Sequence, residues 1–271
     1  MSQLIKLLSP AALSAALEDE HVIFIDARTP DAYRAAHLPG ARHLDPALLA
    51  LTRTDAASIA TFDTLLVAQL SALGIPPSSR LVIYGQKLDA DAAKVAWALA
   101  YVGHTRIEVI DGGLDALPGT IPLSKEAPAV RATPYRAKFH RDLLATADHI
   151  LARLKEDTAW IIDARDLADY RGDKSSAVRF GHIPGARHWS VQNELADDGR
   201  LESPVILRQR LQETGIGSAR PIVLYCGGGG RAARSFLALS AAGYRDLAVY
   251  PASWREWGNR DDLPVESGPS A

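Results

Sequence analysis

The sequence predicts an α/β protein built twice, as two small tandem domains, each a central, mainly parallel sheet flanked by helices. Two observations predict it. The chain carries an internal repeat, and in both copies short apolar strands alternate with helical segments. Val22-Ile-Phe-Ile-Asp-Ala-Arg28 recurs as Trp160-Ile-Ile-Asp-Ala-Arg165, and a tyrosine follows each, Tyr33 and Tyr170. His37-Leu-Pro-Gly-Ala-Arg-His43 recurs as His182-Ile-Pro-Gly-Ala-Arg-His188, the second copy holding eight extra residues around Gly172–Arg179.

The remaining elements follow in the same order in each copy. Leu81-Val-Ile-Tyr84 parallels Ile222-Val-Leu-Tyr225, and a parallel strand covered on both faces reads as such an unbroken apolar run. An Ala-rich stretch of helical spacing follows each and stops at a glycine, Gly103 or Gly243. Third strands are expected at Ile107–Ile110 and Leu247–Tyr250. From about Pro118 to Tyr135 the composition (Pro-Gly-Thr-Ile-Pro-Leu-Ser-Lys-Glu-Ala-Pro) breaks helices and suits an extended connector. Two domains are therefore expected, over residues 1–120 and 136–268.

Thirty basic and 32 acidic side chains in 271 residues leave a net charge of -2, no footprint for nucleic acid or an anionic membrane, so the expected ligands are small molecules. No long apolar stretch follows a basic start, and no window approaches ~18 apolar residues, the length a membrane span needs. The one cysteine, Cys226, excludes an intrachain disulfide and a multi-cysteine metal site. It fits a reducing cytoplasm, the expected location.

The copies diverge after the second apolar run. Tyr225 is followed by Cys226-Gly-Gly-Gly-Gly-Arg231 and then helix, whereas Tyr84 is followed by Gly85-Gln-Lys-Leu-Asp89. A thiol between a strand and a helix N-terminus meets the positive end of the helix dipole. Glycines Gly227, Gly228, Gly229 and Gly230 allow successive N–H groups to turn inward, a nest for negatively charged sulfur. Arg231 closes the loop with a fixed charge suited to an oxyanion. Gly227-x-Gly229-x-x-Ala232 also fits a loose dinucleotide fingerprint, but that site needs an acid at the end of the next strand, and Asp246 precedes that strand. A phosphate-binding Walker loop needs Lys-Ser/Thr where Arg231 stands.

These residues resemble the rhodanese family in its tandem two-domain form. Ile25–Arg28 with Tyr33-x-x-x-His37-Leu-Pro-Gly-Ala41 resembles the entry motif of a rhodanese domain. Ala248-Val-Tyr-Pro-Ala-Ser-Trp-Arg-Glu-Trp257 resembles its closing motif, with Ala252 where glycine is usual. The resemblance implies an inactive N-terminal domain, a catalytic C-terminal domain and an active site in the cleft between them, compatible with a monomer. It implies a thiosulfate sulfurtransferase that works through a persulfide on Cys226, with no metal or organic cofactor, passing sulfur to cyanide, a small thiol or a protein thiol. A loop of six residues from Cys226 to Arg231 resembles that of sulfurtransferases. Phosphatase-like and arsenate-reductase-like relatives have one residue more. 3-Mercaptopyruvate remains an alternative donor, although relatives that take it carry an arginine where this chain has Asp169.

Arg231 is the first candidate for donor binding. Arg165 is a second, but its twin Arg28 in the copy without a thiol also fits a structural Asp–Arg pair. Arg179, in the insertion, is a third, with a solvated surface arginine as the alternative. His37 and His182 precede Pro-Gly-Ala in both copies and read as turn-fixing residues. Trp189 is a candidate wall of the site, and Trp254 and Trp257 are expected to pack a closing helix on the sheet.

Overall fold

The structure is a computed structural model, and it describes residues 4–268. Two compact units divide these residues, the first comprising 4–49, 61–140 and 196–201 and the second 50–60, 141–195 and 202–268. The division is not one cut in the chain. Leu201 N–H bonds Asp111 Oδ1 (2.7 Å) inside the first unit, while Thr54 Oγ1 donates to Glu256 Oε2 (2.7 Å) inside the second.

The elements run β1 (Ile5–Leu8), α1 (Leu13–Glu18), β2 (Val22–Asp26), α2 (Pro30–Ala35), β3 (Arg42–His43), α3 (Ala56–Ala72), β4 (Arg80–Tyr84), α4 (Ala90–Tyr101) and β5 (Ile107–Ile110). The first unit's sheet has the order β1-β5-β4-β2-β3 and every pairing is parallel. The chain continues with α5 (Ala147–Glu156), β6 (Trp160–Asp163), α6 (Leu167–Arg171), β7 (Arg187–His188), α7 (Pro204–Glu213), β8 (Ile222–Tyr225), α8 (Gly230–Ala241), β9 (Leu247–Val249) and α9 (Ser253–Trp257). The second unit's sheet is again parallel, in the order β7-β6-β8-β9. The expected fold class is what the structure has.

The strands expected from unbroken apolar runs are buried along nearly their whole length, as β8 shows with all four residues inside. Helices α4 and α8 end two residues before Gly103 and Gly243, which take φ +93° and +99°. In the left-handed region glycine escapes the clash that Cβ causes, so it stops the helix at little cost. The segment 118–140 holds no helix, and within the first unit it is tied to the chain before β3 through Ser124 and His37, whose N–H groups each reach the other's carbonyl at 2.8 Å.

One feature of the second sheet positions chemistry. From β6 the chain steps outward to β7, and from β8 it steps outward the other way to β9, so the strand order reverses between β6 and β8. In parallel sheets the crevice beyond the carboxyl ends of the strands at such a reversal is where ligands bind. Asp163 and Tyr225 face each other at those ends, and Cys226 is the next residue. The first unit reverses between β2 and β4, where the corresponding residue is Gly85.

Candidate active site

Cys226 is 2% exposed, held at the end of β8 by its own backbone. Its N–H donates to Ser253 Oγ at 3.0 Å, and its Sγ accepts from Gly229 N–H at 3.2 Å. Ser253 Oγ donates to Tyr250 O at 2.7 Å and stands 4.0 Å from Sγ. Ser253 has φ +56°, a conformation that a non-glycine residue keeps only where its surroundings hold it, here through both Oγ bonds. The N–H groups of Trp254 and Arg255 donate to the carbonyls of Cys226 and Gly227 at 2.9 and 3.0 Å. The first turn of α9 is thereby joined to the loop.

The loop glycines differ in what they do. Gly229, the N-cap of α8, has φ +92°, and a Cβ there would lie 2.7 Å from Pro251 O. Gly229→Ala is therefore expected to destabilise the protein by about 1–3 kcal/mol and to cut turnover at least ~10-fold, because the N–H that meets Sγ moves with the strained backbone. Denaturant melts and initial rates on one preparation check both numbers. A Cβ on Gly228 would meet the Arg255 guanidinium at 3.2 Å, whereas on Gly227 it would sit 3.7 Å from Arg231 Nη2.

The first unit shows what the corresponding loop is without a thiol. Asp89 caps α4, its Oδ1 accepting from the N–H groups of Asp91 (3.1 Å) and Ala92 (2.9 Å). A Cβ on Gly85 would lie 2.8 Å from the Asp89 carboxyl carbon, so the cap carboxylate occupies the space a thiol would need. Helix α8 has no side-chain cap. Its first-turn N–H groups lack intrahelical partners and remain for an anion beside Cys226.

Arg231 sits in the first turn of α8, a third exposed, with Nη1 3.3 Å from Asp166 Oδ1. Lys174 also bonds Asp166 (3.0 Å), and that bond, together with the charge of Arg231, holds the Asp166 carboxyl below its ordinary range.

The other two arginines expected as donor-binding candidates, Arg165 and Arg179, have internal partners. Arg165, 1% exposed, donates through Nε and Nη2 to Asp163 (2.9 and 2.6 Å) and through Nη2 to Gly181 O (2.7 Å). Its Nη1 alone has no hydrogen-bond partner, and the guanidinium carbon lies 4.4 Å from the centroid of the Trp254 ring. Burial pulls its pKa down, but the hydrogen bonds and charge of Asp163 outweigh that and leave it above the ordinary value. Arg28 repeats the arrangement on Asp26 in the unit without a thiol, which makes the pair part of the scaffold. Arg179 donates to Leu263 O (2.6 Å) and Trp257 O (2.5 Å), tying the insertion to the segment after α9. Arg165 and Arg179 each tie parts of the fold together.

The other expectations divide similarly. His182 Nδ1 lies 2.7 Å from Tyr170 O and the two rings stack at 3.8 Å, as His37 does on Tyr33 at 4.0 Å. Both histidines fix turns. Trp189 is fully buried and donates to Glu194 Oε1 at 3.0 Å. Trp254 and Trp257 pack α9 into the core with Ala145, Ile161 and Val223, as expected. Ser253, Arg255 and Asp166 are the neighbours of the loop that sequence reasoning missed. Their only signal was position: Ser253 and Arg255 flank Trp254 in the closing motif, and Asp166 follows Arg165.

A thiol that accepts from a backbone N–H at the switch point of a parallel sheet, with an arginine in the same loop, is an arrangement suited to cysteine-dependent transfer of an anionic group. The family model of the rhodanese-like domain matches residues 9–117 and again 146–260, and the chain belongs to the rhodanese family. It is 33% identical over 260 residues to a thiosulfate sulfurtransferase of Azotobacter vinelandii, covering 96% of each chain. A thiosulfate sulfurtransferase of Pseudomonas aeruginosa is 29% identical over 268 residues, covering 98% of each. The 3-mercaptopyruvate sulfurtransferase of Escherichia coli K12 is 27% identical over 270 residues, covering 94% of this chain and 95% of that one. Among solved structures, the anaerobic ergothioneine biosynthesis enzyme of Chlorobium limicola superposes with a TM-score of 0.86 at 19% identity, over 97% of this chain and 70% of that one, a likeness of fold.

Proposed function

We propose that this protein is a thiosulfate sulfurtransferase carrying sulfur on Cys226 as a persulfide. The carrying observation is the contact of Cys226 Sγ with Gly229 N–H at the uncapped start of α8. The Cys226 thiolate attacks the outer sulfur of thiosulfate, a new S–S bond forms, and the bond to the sulfonate breaks with its electron pair leaving on sulfite. The persulfide anion is then held by the loop N–H groups. Cyanide or a thiolate attacks its outer sulfur and leaves with it, regenerating the Cys226 thiolate. With no second cysteine in the chain, the persulfide waits for an external acceptor, a small molecule or a protein thiol.

Arg231 receives the sulfonate end of the donor. Arg231→Ala is expected to raise KM for thiosulfate about 10-fold, the worth of one charge-assisted hydrogen bond, with kcat changed far less. Steady-state kinetics with cyanide as acceptor measure this. Among the described residues no helix is long and apolar enough to cross a membrane. The proposed setting is the cytoplasm, where a lone thiol stays reduced between turnovers.

3-Mercaptopyruvate is the second donor reading, supported by the Escherichia coli relative. Asp169, however, stands directly before Tyr170 and pairs with Lys174 at 3.4 Å. A carboxylate there offers no cation to a carboxylate-bearing donor. Comparing kcat/KM for thiosulfate, 3-mercaptopyruvate and an aryl phosphate decides the matter. A preference for thiosulfate of at least ~10-fold, about 1.4 kcal/mol in transition-state binding, is expected. Preference for 3-mercaptopyruvate, or release of phosphate, overturns the assignment.

A further inference from the structure

We infer that Arg255 is a second donor-binding residue and that it selects for a doubly charged sulfur donor. Its guanidinium lies over the loop, with Nη2, the central carbon and Nε at 3.2, 3.4 and 3.8 Å from the place a Cβ on Gly228 would take. The glycine leaves that volume empty, and Arg255 fills its border from another element. The backbone fixes this placement, because Arg255 N–H bonds Gly227 O at 3.0 Å while the preceding N–H bonds Cys226 O at 2.9 Å.

Charge distinguishes the two arginines at the loop. Arg231 shares its charge with Asp166 at 3.3 Å. Arg255 is exposed and its guanidinium meets no carboxylate among the described residues. An anion seated on the N–H groups beside Cys226 therefore meets one half-compensated cation at Arg231 and one uncompensated cation at Arg255. Two guanidinium groups suit a sulfonate with three oxygens and a net charge of two, since each can donate a pair of hydrogen bonds to it. A monoanionic donor needs only one of them.

The assignment rests on the thiosulfate reading above, and the experiment separates the two. Wild type, Arg255→Ala and Arg255→Lys are assayed with thiosulfate and with methanethiosulfonate, a monoanion that offers the same outer sulfur and releases a sulfinate. Arg255→Ala keeps the backbone bond to Gly227, so the loop stays in place. It is expected to raise KM for thiosulfate about 10-fold, against less than ~3-fold for methanethiosulfonate, with kcat within ~2-fold for both and with Arg255→Lys restoring most of the difference. Equal changes with the two donors, or a fall in kcat alone, mean that Arg255 only supports the loop and overturn the assignment. A wild-type protein that takes no sulfur from thiosulfate overturns the underlying reading and this one with it, whereas a wild type that does so while Arg255→Ala is unchanged overturns this one alone.

Discussion

Cys226→Ser is expected to lower thiosulfate turnover by at least about 10³-fold, because it removes the only atom able to hold the transferred sulfur. The chain has no other cysteine to take over. Serine fits the site physically. Its Oγ can accept from Gly229 N–H as Sγ does, and the Cys226 N–H bond to Ser253 is backbone and remains. Unfolding free energy should therefore change by under about 1 kcal/mol, the net worth of one altered hydrogen bond. Loss of turnover with an unchanged melt assigns the residue to chemistry. An active serine variant would remove the covalent mechanism.

The second large effect lies in the scaffold. Asp163→Ala is expected to cost about 3–5 kcal/mol of stability, since it leaves a buried guanidinium without its counter-charge. The Asp163 and Arg165 side chains are 0% and 1% exposed. Asp163 also accepts from Tyr225 O–H at 2.6 Å, and the same Tyr225 hydroxyl oxygen in turn accepts from Ile183 N–H at 3.1 Å. Burial first, and the Asp163 charge second, raise the Tyr225 pKa well above its ordinary value, so the phenol stays a donor. The network thus fixes the ends of β6 and β8 and the turn that follows His182. Chemical denaturation of Asp163→Ala and Arg165→Met, with the double variant to close the cycle, measures the coupling. Arg165→Met should lower stability while leaving KM for thiosulfate within ~2-fold, which a substrate contact worth ~1.5 kcal/mol or more would not allow.

Much of this was legible in the sequence because the duplication writes the scaffold out twice. Buried parallel strands appear as apolar runs, so β2, β4, β6 and β8 could be paired by eye, and the glycines after α4 and α8 marked their ends. Cys226 stood out because its counterpart is Gly85. The same comparison identified Arg165 as a twin of Arg28, and their twin Asp–Arg pairs are what the structure has. Arg179 was not legible. Its partners are the carbonyls of Trp257 and Leu263, and no spacing rule brings residues that far along the chain to an insertion loop. Arg255 was missed for a related reason: four glycines carry no charge of their own, and the cation beside Gly228 comes from α9, after another strand. The left-handed backbone of Ser253, which points its hydroxyl at the loop, has no sequence signature at all.

The persulfide is tested most directly by weighing the intact protein after brief exposure to thiosulfate, then again after cyanide. The proposed mechanism requires a gain equal to one sulfur atom, mapped to the peptide containing Cys226, absent from Cys226→Ser and discharged by cyanide as thiocyanate. An unchanged mass after thiosulfate, or a gain that the serine variant shares, would contradict it.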